Sequence, residues 1–484
     1  MSGIVTPSEA GIVGSRVGRV ADRVIIVTGA AGNIGTHITR RLLGEGARLV
    51  VTGRNETKLA GFIEMLAGEG YDRERMEAVA GDCADPGVCR AVVAAAVARW
   101  GRVDVLVNNA GIAGPKRTLR SIAFTEAEKR ALGDEETMLD AAMNLLGGPW
   151  NMVRATVPHM PAGGSIVNVS TIFSRTRYYG RLPYVVPKSG LNLLSAGLAR
   201  ELGASHGIRV NTVYPGPIAS ERIDKAFAAM DELQGLPGGS TSSEFRGLMI
   251  NRRPAADGSL DFRYPTPDDV ASTILWLASG ESAAFSGQKF EVTNGMQVPS
   301  QSRSQLVSWP DDRLVDLGGR VILVLGGSDL DEAAVFAERH IGRGAQVVMC
   351  FRSLDLVGKA AARLPGGVPV HHMDPLKPDS ANRVFQFLRD HHGRLDGVIV
   401  LPATANGQHG YSLSTAGDED VSAFVQTEIV APVAFAALLT CNLAQWTSQP
   451  PAPPVTFVTN PDDGHGNLLN EIKRAAIEQL IRVW

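Results

Sequence analysis

A tyrosine and a lysine four residues apart, Tyr184 and Lys188 in the string YVVPK, carry the strongest chemical signal in this chain of 484 residues. On a helix that spacing puts a phenol and an ammonium on one face. A cation beside a phenol favours the phenolate, which is expected to ease proton exchange at that hydroxyl. Such a pair could pass a proton to or from the oxygen of a carbonyl or an alcohol. Two such residues meet often by chance. The weight comes from three strings upstream: TGAAGNIG at 28–35, NNAG at 108–111 and VNVST at 167–171.

The elements that must position these residues can be read around them. The glycine string lies between an apolar run at 24–27 and a helical pattern from about 34. A strand, a glycine turn and a helix N-terminus offer a pyrophosphate close backbone approach, free N–H groups and a partial positive charge. The turn resembles TGxxxGxG, with Asn33 where the middle glycine usually stands. Asparagine tolerates left-handed backbone better than other non-glycine residues, so the turn is expected to survive there. Gly29, Gly32, Asn33, Ile34 and Gly35 are the expected contacts. The second strand ends ARLVVTGRN, with Gly53 where an acid would bind a ribose hydroxyl, followed by Arg54. An arginine accommodates a 2′-phosphate, so NADP(H) is expected rather than NAD, unless Arg54 is only a solvated residue after a strand. Asp82, in AVAGDC, is placed either to meet an adenine edge or to cap the next helix.

Together these strings resemble the short-chain dehydrogenase/reductase family over about 20–296. The resemblance implies that Tyr184 is the proton donor and that Lys188 tunes it and holds the nicotinamide ribose. It implies a hydroxyl thirteen residues before the tyrosine that polarises the carbonyl. That position is Thr171, with Ser170 beside it as the alternative. By the same resemblance Asn144, in AAMNLLGGPW, completes a proton relay, its alternative being a satisfied helix-interior amide. NNAG supplies Asn109, Ala110 and Gly111 to the cofactor. PGPI at 215–218 brings Pro215 and Ile218 to the nicotinamide. The loop IFSRTRYYGRLP holds Arg175, Arg177 and Arg181. Guanidinium groups clamp carboxylates bidentately, so an anionic substrate is expected, met by at least one of the three. Residues 217–264 are long enough for a lid.

An internal repeat sets the architecture. Residues 22–55 resemble 319–353, and GRVDVLVNNAG (101–111) is echoed by GRLDGVIVLPA (393–403). Short β-branched runs alternating with helical patterns mean βαβ units and parallel sheets. The expectation is an α/β protein of two tandem Rossmann-like, doubly wound domains: an arm to residue 20, a catalytic domain at 21–296, a linker at 297–316, and a degenerate domain at 317–484 that stops short of its last strands. In that second copy Gly29 is matched by Gly326 and Gly35 by Ala333, while Asn470 and Arg474 fall where YxxxK should be. The string NVSTIFSRTRYYGRLPYVVPKSGLN, the broken second copy and the ending AAIEQLIRVW resemble the N-terminal half of the bifunctional malonyl-CoA reductase family. That resemblance implies an NADPH-dependent reduction of malonate semialdehyde to 3-hydroxypropionate, a C-terminal partner half that makes the aldehyde, and a homo-oligomer.

Bulk properties narrow the alternatives. A net charge of −3 leaves no footprint for nucleic acid or an anionic membrane. No apolar run of about 18 residues suggests a spanning helix. The four cysteines form no CxxC pair, so a reducing, cytoplasmic setting without a metal is expected. His371–His372 and His391–His392 read as solvated surface residues.

Overall fold

The structure, a computed structural model, describes residues 18–176, 178–254, 257–297, 317–364, 366–401, 413–444 and 455–457. In the first half, β1 (Val24–Thr28), α1 (Asn33–Gly44), β2 (Arg48–Gly53), α2 (Glu56–Gly68), β3 (Met76–Ala80), α3 (Pro86–Trp100) and β4 (Val105–Asn108) alternate regularly. Helices α4 (Glu126–Leu132), α5 (Met138–Ala142) and α6 (Gly148–Thr156) lead to β5 (Ser165–Val169), α7 (Leu182–His206) and β6 (Arg209–Pro215). Then come α8 (Glu221–Gln234), α9 (Ser240–Gly247), a hairpin of β7 (Arg253–Pro254) and β8 (Leu260–Asp261), α10 (Pro267–Ala278) and β9 (Lys289–Val292). One parallel sheet results, in the order β3-β2-β1-β4-β5-β6-β9. Strands β1, β4 and β5 are buried along their whole length, as continuous apolar runs covered by helices on both faces must be. The order reverses between β1 and β4, which opens a crevice at the strand C-termini.

The second half repeats the plan with β10 (Val321–Leu325), α11 (Leu330–Ile341), β11 (Gln346–Phe351), α12 (Leu354–Arg363), β12 (Val370–His372), α13 (Pro378–His392), β13 (Gly397–Val400), α14 (Asp418–Phe424), α15 (Ala431–Leu443) and β14 (Val455–Phe457). Its parallel sheet runs β12-β11-β10-β13-β14. Two tandem doubly wound units are therefore present, as the repeat implies.

Helix α5 runs into α6 through a π-helical turn, Met143–Gly147, and α14 runs into α15 through another, Val425–Val430. Each π turn is followed directly by a helical turn that contains a proline, Pro149 or Pro432. Proline cannot donate to the turn before it, and a wider turn accommodates the missing bond. These two kinked helices pack together and join the halves. The Trp150 ring meets Phe424 edge-on at 5.7 Å, and its indole N–H donates to the Leu413 carbonyl at 2.6 Å. Asp418 accepts from Arg90 at 2.8 Å and Arg154 at 2.9 Å. Glu201 on α7 accepts from the Leu413 and Ser414 amides. One apolar cluster consequently spans both halves.

Several expectations need correction. Asp418–Leu443 is a 26-residue helical run long and apolar enough to cross a membrane, but 67% of its most apolar window is buried in this shared cluster. Its apolar character is that of a core helix. Val20, assigned to the arm, is 1% exposed and belongs to the first core. Of the paired histidines, His391 is exposed as expected, while His371, His372 and His392 are half-buried. His371 packs 4.4 Å from the Phe387 ring, with His391 stacked on the same ring at 4.2 Å, and His392 contacts Gln346. Aligning the helix caps Gly32 and Asp329 puts Glu332, not Ala333, opposite Gly35. Residues 298–316 of the linker, and Asn470 and Arg474, lie outside the described residues.

Phe424 is 4% exposed in the junction. Phe424→Ala is expected to lower stability by about 3 kcal/mol, the usual cost of emptying a buried aromatic site, read as a shift of the denaturant midpoint.

Candidate active site

Nearly all the residues singled out by sequence converge on one cleft at the C-terminal ends of the first sheet. Its lining includes Gly29, Gly32, Asn33, Ile34, Gly35, Arg54, Asp82, Asn109, Ala110, Gly111, Asn144, Thr171, Arg181, Tyr184, Lys188, Pro215 and Ile218.

The glycine turn is held open from below. Gly29 has φ +65°, and a Cβ there would stand 2.8 Å from the Ala110 Cα. A Cβ on Gly35 would stand 2.1 Å from the Gly29 carbonyl oxygen. Asn109 fixes the turn by donating to the Thr28 and Gly29 carbonyls at 3.0 and 3.2 Å. The Thr28 hydroxyl accepts from the Asn109 and Ala110 amides. Helix α1 starts at Gly32 without a side-chain cap, so its first N–H groups are left for a ligand. Asn33 is the first helical residue. The left-handed backbone expected of it is not needed, because Gly29 makes the turn.

At the far end of the cleft Arg54 and Lys58 both line the wall, either side of the Asn55 cap of α2. Lys58 was missed in the sequence. Its signal is its position one helical turn beyond Arg54. Asp82 accepts from the Ala84 amide at 2.9 Å and from Asn144 at 3.3 Å. The cap of α3 is Asp85, not Asp82.

At the near end the Lys188 Nζ donates to the Val169 carbonyl at 2.7 Å, and the residue is 3% exposed. Burial pushes this ammonium down to about 7, and the Arg222 cation adds to the shift. Tyr184 stands one turn earlier on α7, half-buried. The Asn144 side chain, in the π turn, accepts from the Ile112 amide at 3.1 Å and donates to Asp82. It is a satisfied amide that also walls the cleft. Ser170 spends its proton on Asn192. The Thr171 Oγ only accepts, from the Phe173 amide at 3.2 Å. Both hydroxyls line the cleft, and Thr171 is the one whose proton no described residue takes.

The three loop arginines separate. Arg175 is paired with Glu291 and does not line the cleft. Arg177 lies outside the described residues. Arg181 is buried in the cleft wall. Arg222, in the first turn of α8, also lines the cleft and carries no motif that would have marked it.

A glycine cradle with an uncapped helix end, cations at one end and a buried lysine at the other fit an NADP-type dinucleotide. The second copy has no such cradle. There Asp329 caps α11 with its own carboxylate, accepting from the Asp331 and Glu332 amides. The Phe351 ring, at the position of Gly53, comes within 2.3 Å of where a Cβ on Gly326 would be.

Fold and cleft together define a doubly wound oxidoreductase built around a dinucleotide site. The family model for short chain dehydrogenase matches residues 23–231. The putative ketoacyl reductase 1 of the granaticin polyketide synthase of Streptomyces violaceoruber is 33% identical over 290 residues, 58% of this chain and 94% of that protein. The 3-oxoacyl-acyl-carrier-protein reductase FabG of Staphylococcus aureus is 30% identical over 276 residues, 56% of this chain and 97% of its own. The chain belongs to the short-chain dehydrogenase family. Beyond the first half, the N-domain of a bacterial malonyl-CoA reductase solved with NADP superposes with a TM-score of 0.90 at 39% identity, covering 96% of this chain and 88% of that one. The C-domain shares the fold at 17% identity and a TM-score of 0.61.

Two outcomes are expected. Folded and nucleotide-free, Lys188 gives up its proton near 7, against an ordinary value of 10.5. Between these values the unfolded chain binds more protons, so stability rises with pH across the window and is lost as pH falls toward 7. Urea unfolding from pH 7 to 10 should show this rise, and Lys188→Met should flatten it. Calorimetric titration with NADPH should give one site per chain, because Asp329 and Phe351 occupy the second.

Proposed function

We propose that this chain reduces malonate semialdehyde to 3-hydroxypropionate with NADPH, as the N-terminal part of a bifunctional malonyl-CoA reductase whose C-terminal half makes the aldehyde. The observation that carries the reductase reading is the meeting of Thr171, Tyr184 and Lys188 at one end of a cleft whose other end is the glycine cradle. The substrate rests on likeness along almost the whole chain, second half included, to the malonyl-CoA reductase N-domain.

The nicotinamide, when bound, supplies the hydride. Tyr184 gives its hydroxyl proton to the substrate oxygen as that oxygen gains negative charge. Thr171 donates a hydrogen bond to the same oxygen. Lys188, tethered to Val169, holds the ribose and places positive charge near the phenol. An anionic dinucleotide favours the protonated form of this lysine, against the burial that disfavours it. Arg54 and Lys58 hold the 2′-phosphate, and Pro215 and Ile218 wall the nicotinamide side. Asn144 holds the Ile112 wall in place, which leaves any share in proton transfer to a water chain past it. A homo-oligomer and a cytoplasmic setting belong to the same proposal.

A second reading, reduction of a 3-oxoacyl thioester, draws on the two ketoacyl reductase relatives matched over the first half. Turnover of malonate semialdehyde against acetoacetyl-CoA separates the readings, and preference for the thioester would displace the first. Tyr184→Phe is expected to lower kcat by about 10²- to 10⁴-fold, the usual worth of a general acid, while NADPH binding persists in a fluorescence titration. Undiminished turnover in that variant would remove the mechanism.

A further inference from the structure

We propose that Arg181 and Arg222 form an anion clamp that holds the carboxylate of the substrate beside Tyr184. The proposal rests on the reductase reading above and deepens it, since it names the chemistry that selects the substrate.

Arg181 is 4% exposed. Its Nη2 donates to the Ala113 carbonyl at 2.6 Å. Its Nε and Nη1 are buried and have no hydrogen-bond partner. The guanidinium carbon lies 5.5 Å from the centre of the Tyr184 ring and 5.6 Å from that of Tyr178. A guanidinium this deep ordinarily has a carboxylate partner, because an unpaired buried charge is costly. None is available here. Among the described residues that line the cleft, Asp82 is the single acid, and it is bonded to Ala84 and Asn144 at the cofactor side.

Arg222 approaches from the other wall. It sits in the first turn of α8, exposed, with no ion pair to a described residue. Burial first, and then the Arg181, Arg222 and Lys225 cations, hold the Lys116 ammonium below its ordinary range. Arg181 itself is held down by burial, with Arg222 contributing. Arg181 and Arg222 thus bring two cations to the cleft, neither paired with a described acid, whereas Lys225 beside them is paired with Glu221. Its geometry is set in advance: Phe173 and Tyr178 of the substrate loop pack with Phe227 of α8 and Phe245 of α9 in one aromatic cluster, so α8 and the loop hold a fixed relation. Such preorganisation removes ordering cost from binding.

A short aldehyde with a terminal carboxylate places its negative charge a few ångströms from the carbonyl that Tyr184 protonates. Arg222 is its exposed first contact. Arg181 brings Nε and Nη1, the two guanidinium nitrogens that no described residue takes. A thioester carries no charge at that place.

The test compares kcat/KM for malonate semialdehyde with that for propanal in the wild type and in Arg222→Gln, Arg181→Met and Arg181→Lys. It also measures malonate binding to the enzyme with NADP bound, by calorimetry. The ratio of the two kcat/KM values should fall about 10- to 100-fold in Arg222→Gln and Arg181→Met, as expected for loss of a charge-assisted bond, with a matching loss of malonate affinity. Arg181→Lys should recover part of the ratio. Arg222→Gln, at an exposed position, keeps the test open should Arg181→Met fail to fold. Equal losses on both aldehydes with a displaced pH profile would mean that Arg181 only positions Tyr184, and would overturn the clamp. So would malonate binding as tight in the variants as in the wild type. If the wild type prefers acetoacetyl-CoA, the functional reading fails instead, and the malonate titration alone decides the clamp.

Discussion

The site depends on one buried contact, the Lys188 ammonium on the Val169 carbonyl. A lysine inside a protein loses most of its hydration, and a single carbonyl replaces little of it. The contact persists because β5 ends and α7 passes at this point, with the four-residue spacing of YVVPK carrying the ammonium to the sheet and the phenol back over the cleft. The same helix is fixed at its other side by Asn168, which bonds Ser195 at 2.9 Å, and by Ser170, which bonds Asn192. Three successive polar groups at the end of β5 thus dock α7. The phenol inherits its place from that docking.

The opposite wall is positioned by a less local device. Asn144 reaches the Ile112 amide from a π turn, and that turn belongs to the kinked helix that packs against its counterpart in the second half. Trp150, one turn on, is locked by Phe424 and the Leu413 carbonyl. The second half therefore supports the first through the helix that holds the cleft open. A domain without a cradle of its own still has this structural effect on the chemistry next door.

The sequence revealed the parts of the site that consist of backbone geometry and fixed spacing. Glycines, a strand end and an i,i+4 pair are local, and local rules placed Gly29, Gly35, Tyr184 and Lys188 in one cleft without a structure. Where the answer lay in packing between distant segments, local rules fell short. Arg175, Arg177 and Arg181 look alike in the loop, and only the tertiary neighbour Glu291 takes Arg175 out of contention. Lys58 and Arg222 sit in unremarkable helical first turns, and only the closing of the sheet brings them to the cleft. The apolar run from Asp418 could not be told from a solvent-flanked helix until its partner in the first half was known.

The two halves also show how little separates a dinucleotide cradle from its ruin. Both have the strand, the turn and the helix, and both keep the first glycine. In the first half the helix opens at Gly32 with nothing to cap it, and a Cβ at Gly53 would meet no atom within 4 Å. In the second, an aspartate at the first position satisfies the helix end with a negative charge, where a phosphate would have to bring its own. A phenylalanine at the other position lays its ring against the first glycine of the turn. Each change is favourable to folding: a capped helix and a filled void are both stabilising. An empty, uncapped cradle forgoes both gains, and a ligand bound in it offsets the loss. Its survival in the first half alone, beside an unpaired arginine cluster, is the physical mark of the half that does the chemistry.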